Sequence, residues 1–232
     1  MCGKSKIIKK EYIGKGANWK VYHIEFEPFM INGKIISQAV IKETINNQDA
    51  EYYVSKYRAI VKSAVPTVSF CVLASDYFEE YNEQDDAVVC EDLNLNFPKE
   101  FYVTANSVRK CTESYPKCEG FLLENKFTEI SNFNTFLKHT LEDISLIHDV
   151  SFDDDSFFFG VVMEGNGTIS LQDYRIADFD SVCIYKEELP KNLSYGLRKV
   201  FLIALEYFCT YFENGTYYRK IVQNELKKTL LK

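Results

Sequence analysis

The feature of the sequence that most constrains the fold is a hairpin signal in the second half of the chain, which ends in a short acidic segment. Apolar runs of strand length flank the Gly-Asn-Gly turn at 165–167, and this pattern predicts a β-hairpin. The second run ends at 178–180, Asp-Phe-Asp. A carboxylate at the end of a buried strand is costly unless a partner such as phosphate-bound magnesium neutralises it. The alternative is a polar turn in which Asp178 accepts a backbone hydrogen bond.

A second group of acids precedes the same hairpin. Residues 153–155 are three consecutive aspartates, directly before the first predicted strand. Because a hairpin brings its two ends close together, we expect these acids to converge with Asp178. Convergent carboxylates on a rigid hairpin suit a magnesium–nucleotide site. The alternative for the three aspartates is a solvated acidic turn.

Composition and charge exclude several classes of protein. The chain has 232 residues, 46% of them hydrophobic, which suits one large domain or two small lobes with a real core. Its formal net charge of −7 argues against binding to nucleic acid or to an anionic membrane surface. The sequence contains no apolar run of membrane-spanning length, no secretion signal and no CxxC pair. We therefore expect a cytoplasmic chain without a membrane span or a zinc site.

The first part of the chain predicts an antiparallel sheet. Residues 7–26 have the pattern of two strands around a turn, and a third strand over 34–43 follows the Asn-Gly pair at 32–33, a strong hairpin signal. The first turn contains Gly14 and Gly16, whose lack of a Cβ lets backbone amides approach an anion. The alternative is an ordinary hairpin turn that contains glycine.

A lysine at a strand end and a following helix form the next candidate pair. Lys42 ends an apolar run, so an inward-pointing ammonium there needs an acid or a phosphate as its partner. Residues 47–64 predict a helix capped by Asn47 or Asp49. Glu51, in its first turn, lies within possible reach of Lys42. The alternatives are a solvated lysine and a first-turn acid that complements the helix dipole.

The same periodicities predict the remaining elements. The long helix begins at a cap, either Ser131 or Asn132, and carries a clear apolar face. Cys90 and Cys209 lie in apolar runs that are typical of buried thiols. The predicted elements are a strand over 67–78, a short buried strand with an acidic connector over 87–93, a linker with one helix over 95–130, the long helix over 131–149 and a helical tail over 194–232.

In this order, the parts resemble the protein-kinase-like fold over roughly residues 10–185. The shared parts are a glycine turn, a strand lysine, a helix glutamate, an acidic connector, a long helix, an acidic loop and a hairpin that ends in an acid. The resemblance implies an α+β, two-lobed protein-kinase-like fold. Its N-lobe would be a small antiparallel sheet over 1–94, and its C-lobe would be reduced and mainly helical over 95–232.

The resemblance also implies ATP and Mg²⁺ as cofactors, and it assigns a role to each candidate in the first part of the chain. Gly14 and Gly16 match the loop that covers the phosphates. Lys42 matches the lysine that contacts the α- and β-phosphates, and Glu51 matches the glutamate that pairs with this lysine. Together these residues would hold the nucleotide.

The remaining roles fall on the acidic connector and the hairpin ends. Glu91 and Leu93 match the connector that hydrogen-bonds adenine. Asp153 matches the acid that orients the attacking hydroxyl. Asp178 matches the acid that binds the metal. The second metal contact of the family is missing unless Asp154, Asp155 or Ser156 replaces it, and we name Asp154 as the candidate.

The catalytic loop departs from the family pattern. With Asp153 as the catalytic acid, Phe158 stands where asparagine is usual and Ser151 where histidine is usual. The alternative register takes Asp149, which follows His148, and uses the acid five residues later as a replacement metal ligand. We prefer Asp153, because the earlier pair fits the end of the long helix.

The acidic segment after the hairpin departs as well. Asp180 stands where glycine is usual, and this form resembles a variant found in small bacterial kinase-like proteins, including lipopolysaccharide sugar kinases. The short stretch that follows favours a compact member whose acceptor is a hydroxyl of a small molecule, a sugar or a protein. The missing asparagine is also consistent with a pseudokinase that binds nucleotide or acts as a scaffold. A third interpretation is an unrelated α+β protein.

Overall fold

The computed structural model describes residues 3–46, 48–63, 65–104, 117–147, 149–185 and 191–230, with side chains from residue 196 onward in the last range. The chain is mixed α+β, and nearly all of its strand pairs are antiparallel. It divides into two compact units, Met1–Arg58 with Val68–Leu93, and Ala59–Thr67 with Asn94–Lys232. Among the described residues, no helix combines the length and apolar character needed to cross a membrane.

The first unit is built on one five-stranded antiparallel sheet. Its strands are β1 (Ile7–Lys15), β2 (Trp19–Ile31), β3 (Lys34–Thr44), β4 (Cys71–Leu73) and β5 (Ala87–Cys90), in the order β1-β2-β3-β5-β4. The strand period places Ile24, Phe26 and Ile41 in the core on one side of the sheet. The strands predicted over 7–26 and 34–43 are confirmed, and β2 continues to Ile31.

The turn before β3 and the start of the following helix form as the sequence predicts. The Asn-Gly pair at 32–33 has φ of 49° and 79°, the left-handed conformation that this hairpin turn requires. α1 (Ala50–Lys62) begins after Asp49, whose side chain accepts a hydrogen bond from the N–H of Tyr52 at 3.0 Å. Asn47, the other predicted cap, lies outside the described residues.

The prediction of one strand over 67–78 is wrong for most of its length. Only Cys71–Leu73 pairs in the sheet, and residues 74–76 form a 3-10 turn. The carbonyl of Ala74 accepts a hydrogen bond from the N–H of Phe78 at 3.0 Å. Phe78 is completely buried, so the turn delivers its ring to the core in place of a continuing strand.

The second unit contains two small sheets and most of the helices. The four-stranded sheet has the order β6 (Glu100–Thr104), β9 (Phe157–Gly165), β10 (Thr168–Ile176) and β7 (Glu129–Ile130), and the two-stranded sheet pairs β8 (Val150–Ser151) with β11 (Cys183–Ile184). The helices are α2 (Lys117–Asn125), α3 (Phe133–Ile144), α4 (Lys191–Phe208) and α5 (Gly215–Leu230). β6 and β7 lie in the region predicted as a linker with one helix. Both are too short for a period to be read in the sequence.

β9 and β10 form the predicted hairpin. The turn residues at 166–167 have φ of 53° and 75°. The pairing register shifts between Leu171 and Tyr174, which gives β10 an extra residue opposite Gly160. A Cβ on Gly160 would lie 2.5 Å from the Asp173 Oδ1 atom, so the bulge needs glycine at this position.

α3 is shorter than the helix predicted over 131–149, and its start is held differently. Asn132 occupies the N-cap position but makes no side-chain cap bond. Its amide group donates to the Leu171 carbonyl at 2.7 Å and accepts from the Leu171 N–H at 2.9 Å. Ser131 is exposed. Asn132 therefore ties α3 to β10, and the predicted capping role is corrected.

The helical tail predicted over 194–232 is confirmed as two helices, α4 and α5, with a 3-10 turn at 209–211 after α4. The ring of Phe201 lies 5.6 Å from that of Phe157, and the ring of Phe208 lies 5.0 Å from that of Phe159. The tail thus packs on the strand that follows the acidic loop. One face of α4 is an apolar stripe that is buried throughout, formed by Leu197, Phe201, Leu205 and Phe208.

Candidate functional site

The two acidic segments of the second unit are brought together by local backbone pairing. β8 precedes the first segment and β11 follows the second, and these strands pair antiparallel. Between them, the N–H of Ala177 donates to the carbonyl of Ser156 at 3.4 Å. The hydroxyls of Ser156 and Ser181 are 2.9 Å apart. The loop at 152–156 and the segment at 177–182 are therefore neighbours, and we call this arrangement the acidic loop pair.

Phe179 anchors the second segment of the acidic loop pair. Its side chain is completely buried. The flanking residues Asp178 and Asp180 are half-buried, and the N–H of Asp180 donates to the Asp178 Oδ1 atom at 3.3 Å. The backbone bond considered for Asp178 from the sequence is thus present. It uses one of the two oxygens, and the other oxygen keeps its capacity to accept.

The carboxylates of the acidic loop pair are close enough to repel one another. Burial raises the pKa of Asp155, and the charges of Asp178, Asp154 and Asp153 raise it further. The predicted convergence of the two acidic groups is confirmed. Among the described residues, none of these four carboxylates takes part in an ion pair.

Two carboxylate oxygens in this loop are buried without a hydrogen bond. They are Asp154 Oδ2 and Asp155 Oδ1, which have no hydrogen-bond partner in the described part of the chain. An ionised oxygen in this state is destabilising unless a proton or a cation compensates it. The donor set is all oxygen, which is the chemistry that Mg²⁺ prefers.

The acidic loop pair does not form a complete metal cage. Within the described ranges, no three His, Cys, Asp or Glu side chains are arranged to hold a metal ion by themselves. Magnesium commonly takes only one or two protein carboxylates and completes its octahedron with water and phosphate oxygens. The residues present therefore fit a magnesium ion only if other oxygen ligands complete its shell, and Asp178 and Asp154 are the candidate protein ligands.

The two residues considered as the catalytic acid have different surroundings. Asp149 accepts a hydrogen bond from the Ser63 hydroxyl at 2.7 Å, and its carbonyl accepts from the N–H of Tyr185 at 2.8 Å. Asp153 is exposed, and it directly precedes the short 3-10 turn at 154–156. Asp149 is thus engaged in local structure, whereas Asp153 is open to a ligand. His148 lies outside the described residues.

The position where a kinase-like loop has asparagine is a strand position here. Phe158 lies in β9, opposite Arg175 on one side and Thr104 on the other. Its side chain is half-buried and has no metal-binding atom. The fold therefore offers no amide at this position, in agreement with the departure seen in the sequence.

In the first unit, Lys42 has a partner that the sequence did not predict. Its ammonium donates to the Tyr53 hydroxyl at 2.7 Å and lies 5.1 Å from the centre of the same ring. The side chain of Glu51 is exposed, and it forms no ion pair within the described residues. The expected pairing of Lys42 with Glu51 is absent. Tyr53 lies on the side of α1 nearer the sheet. The sequence feature that could have predicted its contact with Lys42 is the helical spacing of the tyrosines that form the inner face of α1.

The glycine turn closes without needing glycine for its own geometry. The N–H of Gly16 donates to the carbonyl of Trp19 at 2.8 Å, and the Trp19 ring packs 5.0 Å from that of Tyr53. At Gly14, no heavy atom lies within 4 Å of the position that a Cβ would occupy, and neither glycine has a left-handed φ. Both positions would thus accept a side chain in this fold, and there is open space beside the turn.

The connector after β5 is held by side chains within the first unit. Glu91 accepts a hydrogen bond from the N–H of Ser69 at 2.6 Å. Asp92 and His23 are joined at 2.7 Å, a pair that the sequence analysis missed because 69 positions separate its members. Leu93 is half-buried and ends the unit. Glu91 is therefore structural through its side chain, and its backbone remains the candidate contact for adenine.

Comparison with known proteins adds no family to this picture. No protein-family model matches the chain, and no curated protein matches it at a significant level.

Proposed function

We propose that the chain is an ATP- and Mg²⁺-dependent phosphotransferase of the two-lobed protein-kinase-like type, which moves the γ-phosphoryl group to a hydroxyl of a small molecule, a sugar or a protein. The observation that carries the proposal is the acidic loop pair. Four aspartates, at 153–155 and 178, face one another without an ion pair in the described part of the chain. Phosphate-bound magnesium is a cation that would relieve this repulsion.

Two features of the first unit support the nucleotide part of the proposal. Lys42 projects from a sheet strand and is held by Tyr53, so it is oriented before any ligand binds. Gly14 and Gly16 leave space where a side chain would fit, so there is room for an anion beside the turn. An ammonium and a glycine turn on adjacent strands suit the phosphate chain of a nucleotide.

The chemistry assigned to the residues is in-line phosphoryl transfer. The acceptor oxygen forms a bond to the γ-phosphorus as the bond to the β,γ-bridging oxygen breaks, and ADP leaves. Asp153 orients the acceptor hydroxyl and takes its proton. Lys42 stabilises charge on the phosphates, and Asp178 with Asp154 would hold the magnesium ion. Magnesium, when bound, supplies charge neutralisation on the phosphate oxygens.

A ligand-induced change in melting temperature (Tm) tests the proposal. Mg-ATP at about 100 times its Kd should stabilise the protein by about 2.7 kcal/mol, a rise in Tm of roughly 5–10 °C for a chain of this size. Asp178→Asn should abolish the magnesium-dependent part of this rise. Glu164→Gln, which changes an exposed acid in the same hairpin, is the matched control and should keep it. A rise that is the same in wild type and Asp178→Asn would overturn the metal assignment.

Phe158 supports a second candidate, a pseudokinase that binds nucleotide or serves as a scaffold. Phenylalanine at this position removes one expected metal ligand, and Glu51 does not pair with Lys42. Turnover distinguishes the two candidates. A Tm rise with ADP formation above the Asp153→Asn background supports the enzyme. A Tm rise without ADP formation supports the nucleotide-binding pseudokinase, and no Tm rise supports the scaffold.

A further inference from the structure

Two cysteines face each other across the edge of the sheet in the first unit. Cys71 in β4 and Cys90 in β5 are directly opposite partners in an antiparallel pair. Both side chains are buried. None of the described cysteines takes part in a disulfide. The pair therefore differs from an isolated buried cysteine, because the strand register sets a second cysteine directly opposite.

The backbone geometry of this pair is compatible with a disulfide. Directly opposite residues of antiparallel strands have Cα atoms about 4.5–5.5 Å apart. Disulfides join residues whose Cα atoms are about 4.4–6.8 Å apart. A bond between Cys71 and Cys90 thus requires side-chain rotation and no movement of the strands. Directly opposite residues of an antiparallel pair lie on the same face of the sheet, so both side chains point the same way.

The location of the pair gives a small oxidant a route to it. β4 is the last strand in the sheet order and has only three residues, so local opening of this edge is easier than opening at a central strand. Cys90 is flanked on its other side by Val40 of β3, which stays paired when β4 opens. Opening of β4 therefore exposes the thiols while the rest of the sheet persists.

We propose that Cys71 and Cys90 form a dithiol site that is oxidised reversibly to a disulfide by a peroxide. Cys90 and burial raise the pKa of the Cys71 thiol, so the thiolate forms when β4 opens to water. The thiolate attacks a peroxide oxygen and becomes a sulfenic acid, and the hydroxide that leaves takes up a proton as the first water. The second thiol attacks that sulfur, the S–S bond forms, and a second water leaves. In total, two thiols and one hydrogen peroxide give one disulfide and two waters, and a dithiol reductant restores the thiols.

The disulfide would tie the sheet edge to the connector segment of the proposed nucleotide site. Cys90 directly precedes Glu91, whose side chain accepts from the Ser69 N–H. Lys42 lies on the adjacent strand β3, opposite Val88 of β5, which is two positions before Cys90. The redox chemistry does not depend on nucleotide binding, and its test uses no nucleotide.

Peptide mapping of the full-length wild-type protein tests the site. Trypsin releases Cys71 and Cys90 on the single peptide 63–99 and Cys209 on the peptide 200–219. The reduced protein is treated with hydrogen peroxide, quenched with catalase, unfolded and alkylated. We expect 63–99 to lose both alkyl groups together and to regain both when dithiothreitol precedes alkylation. Cys209 is the internal control, because it is also buried and its pKa is raised by burial; it should stay alkylated.

Single replacements give the matched controls. In Cys71→Ser and in Cys90→Ser, no disulfide within 63–99 should form: the cysteine that attacks peroxide should stop at the sulfenic acid, and the other, in its own variant, should be alkylated as fully as Cys209. The proposal is overturned if wild-type 63–99 keeps both alkyl groups, if only one is lost, or if the loss resists dithiothreitol, which would indicate over-oxidation of separate thiols. The wild-type mapping decides the matter even where a serine variant fails to fold.

Discussion

The two units of this chain differ in how they balance the charge of a half-buried acid. In the first unit, burial acts to raise the pKa of Glu43, but hydrogen bonds from Lys10 and Tyr81 outweigh it and hold the pKa below its ordinary value. In the second unit, burial and three neighbouring aspartates act in the same direction and raise the pKa of Asp155. One acid has its cation within the chain, and the other is surrounded by like charges.

This difference bears on where the proposed magnesium ion would bind. In the first unit, Lys10 balances the charge of Glu43, and the ammonium of Lys42 is held by the Tyr53 hydroxyl. The acidic loop pair is different, because its repulsion is a cost that the chain does not offset among the described residues. A cation that binds at such a site removes the repulsion between the carboxylates, and the free energy of that repulsion then favours binding. The comparison therefore favours metal at the acidic loop pair and phosphate at the first unit.

The largest expected effect comes from removing the buried ring that holds the acids together. Phe179→Ala should lower the free energy of unfolding by about 3–5 kcal/mol, because a completely buried ring is replaced by a cavity. Phe179→Leu, the control, should cost less than about 2 kcal/mol, because it keeps most of the apolar volume. Urea unfolding measures both. Equal effects of the two variants would show that Phe179 does not act as an anchor.

The next effect concerns the side chain that fixes β10, the strand leading to the acids. Asn132→Ala removes two hydrogen bonds to the Leu171 backbone and leaves an N–H and a carbonyl without partners, so we expect a loss of roughly 2–4 kcal/mol. Ser131→Ala changes the exposed neighbour and should stay within about 0.5 kcal/mol of wild type. Urea unfolding separates the two. A larger loss for Ser131→Ala would reinstate it as the helix cap.

Asn132 also illustrates which parts of the fold could be predicted from the sequence. Its position at a helix start is a local property, so the helix was predicted, but its partner Leu171 is 39 positions away and no local pattern indicates it. The same holds for β6, five residues long, whose place is set by pairing with β9. Local periodicity and Asn-Gly turns predicted the long strands, the hairpin and the helices. Short strands and long-range polar contacts depend on tertiary structure.

The features of the candidate site also separate into those that local sequence patterns could predict and those that they could not. The convergence of 153–155 with Asp178 was predictable, because hairpin closure is a local property and both groups lie at its ends. The pairing of Lys42 with Glu51 was not correct, because sequence distance cannot tell which residue of the first helical turn points to the sheet. Tyr53 points there and takes the contact. The roles in catalysis remain proposals that rest on the resemblance and on charge.

A smaller effect on the free energy of unfolding is expected at Glu43, the acid of the first unit whose charge is balanced within the chain. Glu43→Gln should destabilise the protein by about 1.5 kcal/mol at pH 7, because charge-assisted hydrogen bonds from Lys10 and Tyr81 are lost. The folded-state pKa of Glu43 is lowered, so its contribution is present above the ordinary value of 4.5 and is lost as the pH falls through the folded value. The difference between variant and wild type should therefore vanish in acid. A difference independent of pH would mean that shape, and not charge, is responsible.

The smallest effect, with the opposite sign, is expected at Asp155. Its folded-state pKa is raised, so its stabilising contribution is full below the ordinary value of 3.8 and is lost as the pH rises through the folded value. Asp155→Asn should therefore make the metal-free protein more stable than wild type at pH 7, and the gain should disappear in acid. Urea unfolding from about pH 3 to pH 8, with chelator present, measures the gain. Glu164→Gln, an exposed acid of the same unit, should show no such gain.

Magnesium and nucleotide complete this test. If the repulsion at Asp155 is the cost that a cation relieves, Mg-ATP should stabilise wild type more than Asp155→Asn, because the variant has less repulsion to lose. The gain of the variant at pH 7 should then shrink or reverse when Mg-ATP is added. An Asp155→Asn variant that is less stable than wild type without metal would contradict the contrast between the units, since it would mean that this carboxylate is balanced within the chain, as Glu43 is.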